Sequence, residues 1–122
     1  IEQDAELTHY GLSGDVIDAA INSRLIENIF FKNTPLHDGA MIISKDRIMA
    51  AGCILPVSKR TDIPKHLGLR HRAGLGMTEK TDALVVIVSE ETGRVSCMHQ
   101  GGLKLNVNKE YLTNFLTTGS IN

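Results

Sequence analysis

The alternation of hydrophobic and polar positions predicts a chain that changes repeatedly between helices and strands. The stretch NSRLIENIFF places the apolar residues at positions 25, 26, 29 and 30 on one helical face, and Asn22 or Ser23 is a suitable N-cap. Two apolar runs, GAMIIS and RIMAAGCIL, flank the polar pair Lys45–Asp46 and predict an antiparallel hairpin. The segment from Arg70 to Lys80 predicts a helix, although its two glycines lower helix propensity.

The second half of the chain contains the clearest pattern. The segment DALVVIVSEETGRVSCMH predicts two strands around an acidic turn, and its near-continuous first run predicts a central strand that is buried on both faces. Before Gly68, the loop PVSKRTDIPKHLG is expected to contain a short helical turn. The segment NVNKEYLTNFL predicts a final amphipathic helix whose inward residues are Leu112, Phe115 and Leu116. We therefore predict one α/β domain over residues 1–122, with a mixed central sheet flanked by helices on both faces.

Composition indicates a globular domain and argues against two classes, nucleic-acid-binding and membrane-spanning proteins. A length of 122 residues suffices for one hydrophobic core, and 42% hydrophobic with 22% charged residues is ordinary for a globular domain. The formal net charge of −1 argues against nucleic acid as the main partner. No apolar run approaches the roughly 18 residues of a membrane span, so we expect the chain as given to be soluble. Two cysteines in apolar runs, Cys53 and Cys97, are expected to be buried thiols.

A basic triplet, Arg70-His71-Arg72, begins the predicted third helix just after Gly68. A helix N-terminus favours phosphate, and guanidinium groups add charge-assisted hydrogen bonds to phosphate oxygens. The triplet is equally compatible with a solvated helix face. The glycine-rich loop with a following Lys-Ser or Lys-Thr that defines a P-loop is missing from the sequence.

Acidic residues stand at two other predicted element ends. Asp38 precedes a glycine at the start of a strand, where its carboxylate could bind a divalent metal or accept a hydroxyl proton. A simple turn residue, with His37 as a surface imidazole, is the alternative. Ser89, Glu90 and Glu91 follow the apolar strand, where they could bind a metal or form only an acidic turn.

Taken together, the motifs NTPLHDGA, RHRA and VSEETG, in this order and at these intervals, resemble the diadenylate cyclase domain that makes cyclic di-AMP. The resemblance covers nearly the whole chain, and the lead-in NTPLH is similar to the membrane-anchored branch of the family. It implies condensation of two ATP molecules with release of two pyrophosphates, in a site formed between two facing protomers. A homodimer or higher oligomer would therefore be needed for catalysis.

The resemblance also implies roles for single residues. Asp38, Arg70, His71 and Arg72 would be catalytic, with Asp38 acting on the 3′-hydroxyl and the basic triplet on the phosphates. Metal ligands for Mn²⁺ or Mg²⁺ would be His37, Asp38 and Glu90. The residues expected to bind ATP are Gly39, Ala40, Leu55, Leu69 and Ser89. Adenine would lie in an apolar slot near Leu55.

Some features depart from the family pattern. Leu69 stands where relatives often carry a threonine that contacts phosphate, and one lost hydrogen bond would cost about 1 kcal/mol. Ile54 stands where some relatives carry an aromatic residue. The chain lacks an initiator Met, and the usual N-terminal helix and first strand are not evident, so we expect a piece of a longer membrane protein on the cytoplasmic side of a bacterial membrane. A nucleotide-binding regulatory module without turnover is the alternative function.

Overall fold

The computed structural model describes residues 1–121, which fall into two compact units. The first unit comprises Ile1–Leu55 and the second begins at Pro56. The single domain expected over residues 1–122 stays a prediction.

The first unit is a three-stranded antiparallel sheet with two short helices. Its elements are α1 (Thr8–Gly11), β1 (Asp15–Ala20), α2 (Ser23–Ile29), β2 (Ala40–Ser44) and β3 (Arg47–Cys53). The strand order is β1-β3-β2, so the predicted β2–β3 hairpin is confirmed. Asn22 is the N-cap of α2, since its side-chain oxygen accepts hydrogen bonds from the amides of Arg24 and Leu25.

The core of the first unit explains which face of α2 is buried. Ile29 of α2 packs with Ile48 and Ala51 of β3, and other partly buried side chains surround this cluster: Ile17, Leu25, Ile26, Leu36 and Met41. Phe30 was predicted to share the helical face, but it is exposed because the helix ends at Ile29. The predicted pattern is therefore correct for three of its four apolar residues.

The elements α1 and β1 were not predicted from the sequence. In β1 four of the six residues are exposed and the other two are only half-buried, so the strand has no buried apolar run to reveal it. Its register also shifts between Val16 and Ala19, where Asp18 has a φ of 50°. The Asp18 carboxylate accepts a hydrogen bond of 2.7 Å from Nε of Arg47, which joins this irregular strand to β3. The described residues thus contain a helix and a strand before α2, whereas the expectation of an N-terminal truncation stays a prediction.

The second unit contains the remaining elements. They are α3 (Leu69–Lys80), β4 (Val85–Val88), β5 (Val95–His99), β6 (Gly102–Val107) and α4 (Lys109–Thr118). The strands form an antiparallel sheet in the order β4-β5-β6. Before α3, the predicted helical turn is a hydrogen-bonded turn in which the Leu67 amide donates to the Pro64 carbonyl. Together the units confirm the α/β class, and the strand pairings within the described residues are antiparallel.

The prediction that β4 is the central strand is wrong, because β5 lies between β4 and β6. The apolar run of β4 reflects packing against α3 rather than pairing on both edges. A Cβ atom added at Gly74 of α3 would lie 2.6 Å from Cδ1 of Ile87 and 3.0 Å from Cγ1 of Val85. The glycine thus allows the helix to approach the strand closely.

The last helix is confirmed, with one correction to its inward face. Asn108 is its N-cap and accepts a hydrogen bond of 2.8 Å from the Tyr111 amide. Phe115 is buried and Leu112 half-buried, as predicted, but Leu116 is 45% exposed. Both cysteines are free buried thiols, and burial raises their pKa values.

Glu2 joins the N-terminal segment to the sheet of the first unit. Its carboxylate accepts hydrogen bonds from the Ser44 hydroxyl at 2.6 Å and from the Leu7 amide at 2.8 Å. These bonds hold the pKa of Glu2 below its ordinary value of 4.5. A carboxyl group whose pKa is lowered in the folded state stabilises the fold above its unfolded pKa, and this stability is lost as the pH falls through the folded pKa.

We therefore expect Glu2→Gln to lower the free energy of unfolding by about 1 kcal/mol at pH 7 and by less under acidic conditions. Urea unfolding at a series of pH values would measure this difference. Glu6→Gln, at an exposed position of the same segment, is the matched control and should follow the parent curve. Parallel pH curves for the parent and Glu2→Gln would contradict the prediction.

Candidate active site

Thr34 organises the turn that carries His37 and Asp38. Its hydroxyl lies within hydrogen-bonding distance of the carbonyls of Ile29 and Phe31, at 3.0 and 2.9 Å, and so binds the end of α2. The Thr34 carbonyl in turn lies 2.7 Å from Nδ1 of His37. Because a carbonyl oxygen only accepts, Nδ1 carries the proton of this contact. The other ring nitrogen, Nε2, then lies 3.3 Å from Oδ1 of Asp38.

The two side chains of this pair differ in exposure. The His37 side chain is 20% exposed, whereas that of Asp38 is 78% exposed. The imidazole is therefore held by the protein while the carboxylate is open to a solute. A histidine that donates its second ring N–H to a backbone carbonyl has the arrangement usual for metal-ligating histidines. The donor set of His37 and Asp38 consequently fits a divalent cation.

Gly39 fixes where this turn meets the sheet. A Cβ atom at Gly39, which has a φ of 150°, would lie 2.7 Å from the carbonyl carbon of Gly52 in β3. Only glycine permits this approach of two backbones. Ala40 pairs with Cys53, so the start of β2 and the end of β3 lie at one end of the hairpin. Leu55, which is half-buried, is the second residue after the end of β3.

In the second unit, Arg70 connects the start of α3 to the end of β4. Its Nη1 donates a hydrogen bond of 2.7 Å to the Val88 carbonyl, and its Nη2 lies 3.9 Å from Oε2 of Glu90. Ser89 lies between these two partners. Its hydroxyl accepts from the Thr92 amide at 3.3 Å, and its carbonyl accepts from the Gly93 amide. The predicted residues Arg70, Ser89 and Glu90 are thus brought together.

The other residues of the first turn of α3 have different surroundings. His71 is half-buried, and burial, followed by the charges of Arg70 and His66, lowers its pKa. It is therefore neutral at physiological pH and can donate one hydrogen bond and accept another. Leu69 is 70% exposed. Nη1 of Arg72 donates a hydrogen bond of 2.9 Å to the Arg60 carbonyl.

Within residues 1–121 no three His, Cys, Asp or Glu side chains are grouped so that they could hold a metal ion. A cation on His37 and Asp38 would therefore take further oxygen ligands from water or a substrate, as Mg²⁺ commonly does. Across the same residues, none of the helices combines the length and the apolar character that crossing a membrane requires.

Comparison with known proteins identifies the family. A model of the DAC family, described as "DisA bacterial checkpoint controller nucleotide-binding", matches residues 1–103. The chain belongs to the DAC family. The resemblance predicted from the three sequence motifs is thereby confirmed. The DAC match includes the Asp-Gly-Ala and Arg-His-Arg motifs and the Ser89 turn.

Similar proteins come from several bacteria. The chain is 47% identical over 116 residues to cyclic di-AMP synthase CdaA of Bacillus subtilis, and 43% identical over the same length to a diadenylate cyclase of Listeria monocytogenes. Each match covers 95% of this chain, and the chain spans 42% of the length of these curated relatives.

Two solved structures agree with the fold. A double mutant of DacA from Staphylococcus aureus matches with a TM-score of 0.94 and 42% identity, over 97% of this chain and 79% of that one. A structure described as a hypothetical membrane spanning protein from Bacillus cereus matches with a TM-score of 0.83 and 40% identity. That match covers 88% of this chain and 52% of the other.

Sequence reasoning missed the residues that support the site. Thr34 is one of them, and its position three residues before His37 is a usable signal, because this spacing suits a turn. Gly52 is another, since a glycine inside a strand often marks the close approach of a second backbone. Arg60 lies in an irregular loop, and nothing in its sequence context indicates its contacts.

Proposed function

We propose that this chain is the catalytic domain of a diadenylate cyclase, which joins two ATP molecules into cyclic di-AMP and releases two pyrophosphates. The observation that carries the proposal is the 47% identity with the Bacillus subtilis cyclic di-AMP synthase over 95% of the chain. Family membership and the exposed Asp38 on its glycine-dependent turn support it.

In this proposal Asp38 acts on the 3′-hydroxyl group of ATP. Its exposed carboxylate can accept the hydroxyl proton or orient the oxygen that attacks the α-phosphate of the second ATP. His37, fixed by Thr34, lies with its Nε2 3.3 Å from Oδ1 of this carboxylate, so the two atoms face the same point. The oxygen nucleophile forms one P–O bond while the bond to pyrophosphate breaks, and two such steps close the ring.

The same two residues would hold a divalent ion, Mn²⁺ or Mg²⁺. When bound, this ion would neutralise charge at the α-phosphate and the leaving pyrophosphate. Glu90 stays the predicted third ligand. Within the second unit, Oε2 of Glu90 lies 3.9 Å from Nη2 of Arg70.

Residues of the second unit would bind the ATP phosphates. Arg70 presents a guanidinium at the start of α3, and the hydroxyl of Ser89 can donate to a phosphate oxygen while it accepts from the Thr92 amide. His71, neutral at physiological pH, can donate to a phosphate without adding charge. Gly39, Ala40, Leu55 and Leu69 stay the predicted contacts to the rest of ATP.

We further propose that two copies of the chain act together, because each would supply one ATP and one 3′-hydroxyl group. Association with a membrane is proposed for the whole protein, since one similar structure is described as membrane spanning. Both statements extend beyond the 42% of the curated relatives that the chain spans.

The test is incubation of the chain with ATP and Mn²⁺ over a range of protein concentrations, followed by mass detection of cyclic di-AMP. We expect product whose rate per milligram rises with protein concentration, because two protomers must meet. A rate per milligram that is constant down to high dilution would contradict the two-protomer requirement.

ATP binding by calorimetry without product would favour the alternative, a nucleotide-binding regulatory module. The observation behind that alternative is the exposed Leu69 at a predicted phosphate position.

A further inference from the structure

The two arginines of the Arg-His-Arg motif contact different parts of the second unit. Arg70 donates to the Val88 carbonyl at the end of β4, whereas Arg72 donates to the Arg60 carbonyl in the loop before α3. Residues two apart on an α-helix are separated by about 200° around its axis. The two side chains therefore leave α3 on nearly opposite sides, which argues against one shared role.

The start of α3 needs support, because its N-cap residue, Gly68, makes no side-chain hydrogen bond to the first turn. Arg72 connects this turn to the preceding loop through two separate groups. Its guanidinium donates a hydrogen bond of 2.9 Å to the Arg60 carbonyl. Its backbone carbonyl accepts a hydrogen bond of 2.9 Å from the Ser58 amide. Ser58 is buried, with 4% of its surface exposed. These contacts hold the loop against the helix start.

Arg60 extends the same connection to the turn between β5 and β6. Its guanidinium binds both carboxylate oxygens of Asp62, each at 2.9 Å, and donates to the Gly101 carbonyl. The Gly101 amide donates a hydrogen bond of 3.2 Å to the hydroxyl of Thr78, which belongs to α3. The helix, the loop and the turn thus form a closed ring of contacts in which Arg72 is the link at the helix start.

We propose that Arg72 is a positioning residue that fastens loop 58–62 to the first turn of α3, and that it is not a phosphate ligand. It thereby fixes the turn from which Arg70 and His71 extend. The part of the proposal that concerns ATP rests on the proposed function, whereas the part that concerns the loop stands on the contacts within the second unit.

Hydrogen exchange of the whole chain tests the loop directly. We expect Arg72→Met to speed amide exchange in residues 58–62 by about 5-fold, the effect of one lost hydrogen bond. Arg72→Lys should restore exchange to within about 2-fold, because a single carbonyl acceptor needs one donor and not a planar fork. Arg70→Met, in the same helical turn, is the matched control and should leave this loop unchanged.

Calorimetry with ATP and AMP separates positioning from phosphate binding. A phosphate ligand should change the ratio of the two dissociation constants, and we expect Arg70→Met to reduce the preference for ATP by about 10-fold. Arg72→Met should weaken both nucleotides by a similar factor and keep the ratio within about 2-fold of the parent.

Unchanged loop exchange in Arg72→Met would overturn the proposal, and so would a 10-fold loss of the ATP preference in that variant. If Arg72→Met does not fold, Arg72→Lys provides the test. Amide exchange in residues 58–62 and a ratio of the ATP and AMP dissociation constants that both match the parent chain would support the proposal. Faster exchange in this loop would contradict it. A parent chain that binds neither nucleotide would instead count against the proposed function. In that case the exchange data alone would still decide the role of Arg72 in the loop.

Discussion

Asp38→Asn is expected to reduce cyclic di-AMP formation by about 10²- to 10⁴-fold, the range that a positioned general base contributes. The change keeps the size of the side chain and removes the charge that would accept the hydroxyl proton. Since the carboxylate is 78% exposed, the fold does not depend on its burial. The thermal midpoint and part of the ATP affinity should therefore persist. Mass detection of the product, with calorimetry of ATP binding, measures both effects.

Asp46→Asn is the matched control for this experiment. Asp46 lies in the exposed β2–β3 turn of the same unit, with a φ of 60° that asparagine tolerates. We expect its product formation to equal that of the parent chain. A parent-like yield from Asp38→Asn would remove Asp38 from the mechanism, and equal losses in both variants would point to a general effect of charge on the first unit.

Local patterns explain why much of the fold was predictable. The β2–β3 hairpin, α2 and α4 are determined by neighbouring residues: a polar pair between two apolar runs, and Asn22 and Asn108 as N-caps. In contrast, β6 was not predicted. Its residues alternate between exposed and half-buried at a sheet edge, so they contain no fully buried run that would distinguish a strand.

The predicted position of β4 was wrong for a related reason. A continuous apolar run reports that the faces of a strand are covered, but it does not report which edges are paired. The face of β4 that contains Val85 and Ile87 is covered by α3 at Gly74, a contact between distant residues that no local pattern encodes.

In the candidate site, the sequence indicated which residue types are functional but not where each side chain points. Motifs identified Asp38, Arg70 and Ser89 as candidate residues, because their types suit phosphate chemistry at element ends. The sequence could not indicate that Arg72 points to the Arg60 carbonyl. That direction depends on where an irregular loop lies in space, and the loop is held by Ser58, Arg60 and Gly101 together.

Among the glycines of the described residues, Gly76 is the one at which a change to alanine is expected to cost the most stability. A Cβ atom at Gly76 would lie 1.9 Å from the Pro56 carbonyl oxygen and 2.8 Å from the Ser58 amide nitrogen. Both are backbone atoms, so no side-chain rotation can relieve the overlap. We expect a cost of about 3 kcal/mol, the upper part of the range for overpacking, and a thermal midpoint roughly 10 °C lower. Thermal unfolding followed by circular dichroism would measure it.

Two other glycines of the same region provide graded controls. At Gly68 a Cβ atom would meet nothing within 4 Å, so Gly68→Ala should cost only the modest preference for glycine over alanine at an N-cap. At Gly74 the nearest atom is Cδ1 of Ile87, the far end of a flexible side chain, and the cost should be intermediate. Equal midpoints for all three variants would mean that the segment at Pro56 moves freely away from α3. Such freedom would also contradict the fastening of the loop by Arg72, because Pro56 and Ser58 belong to the same segment.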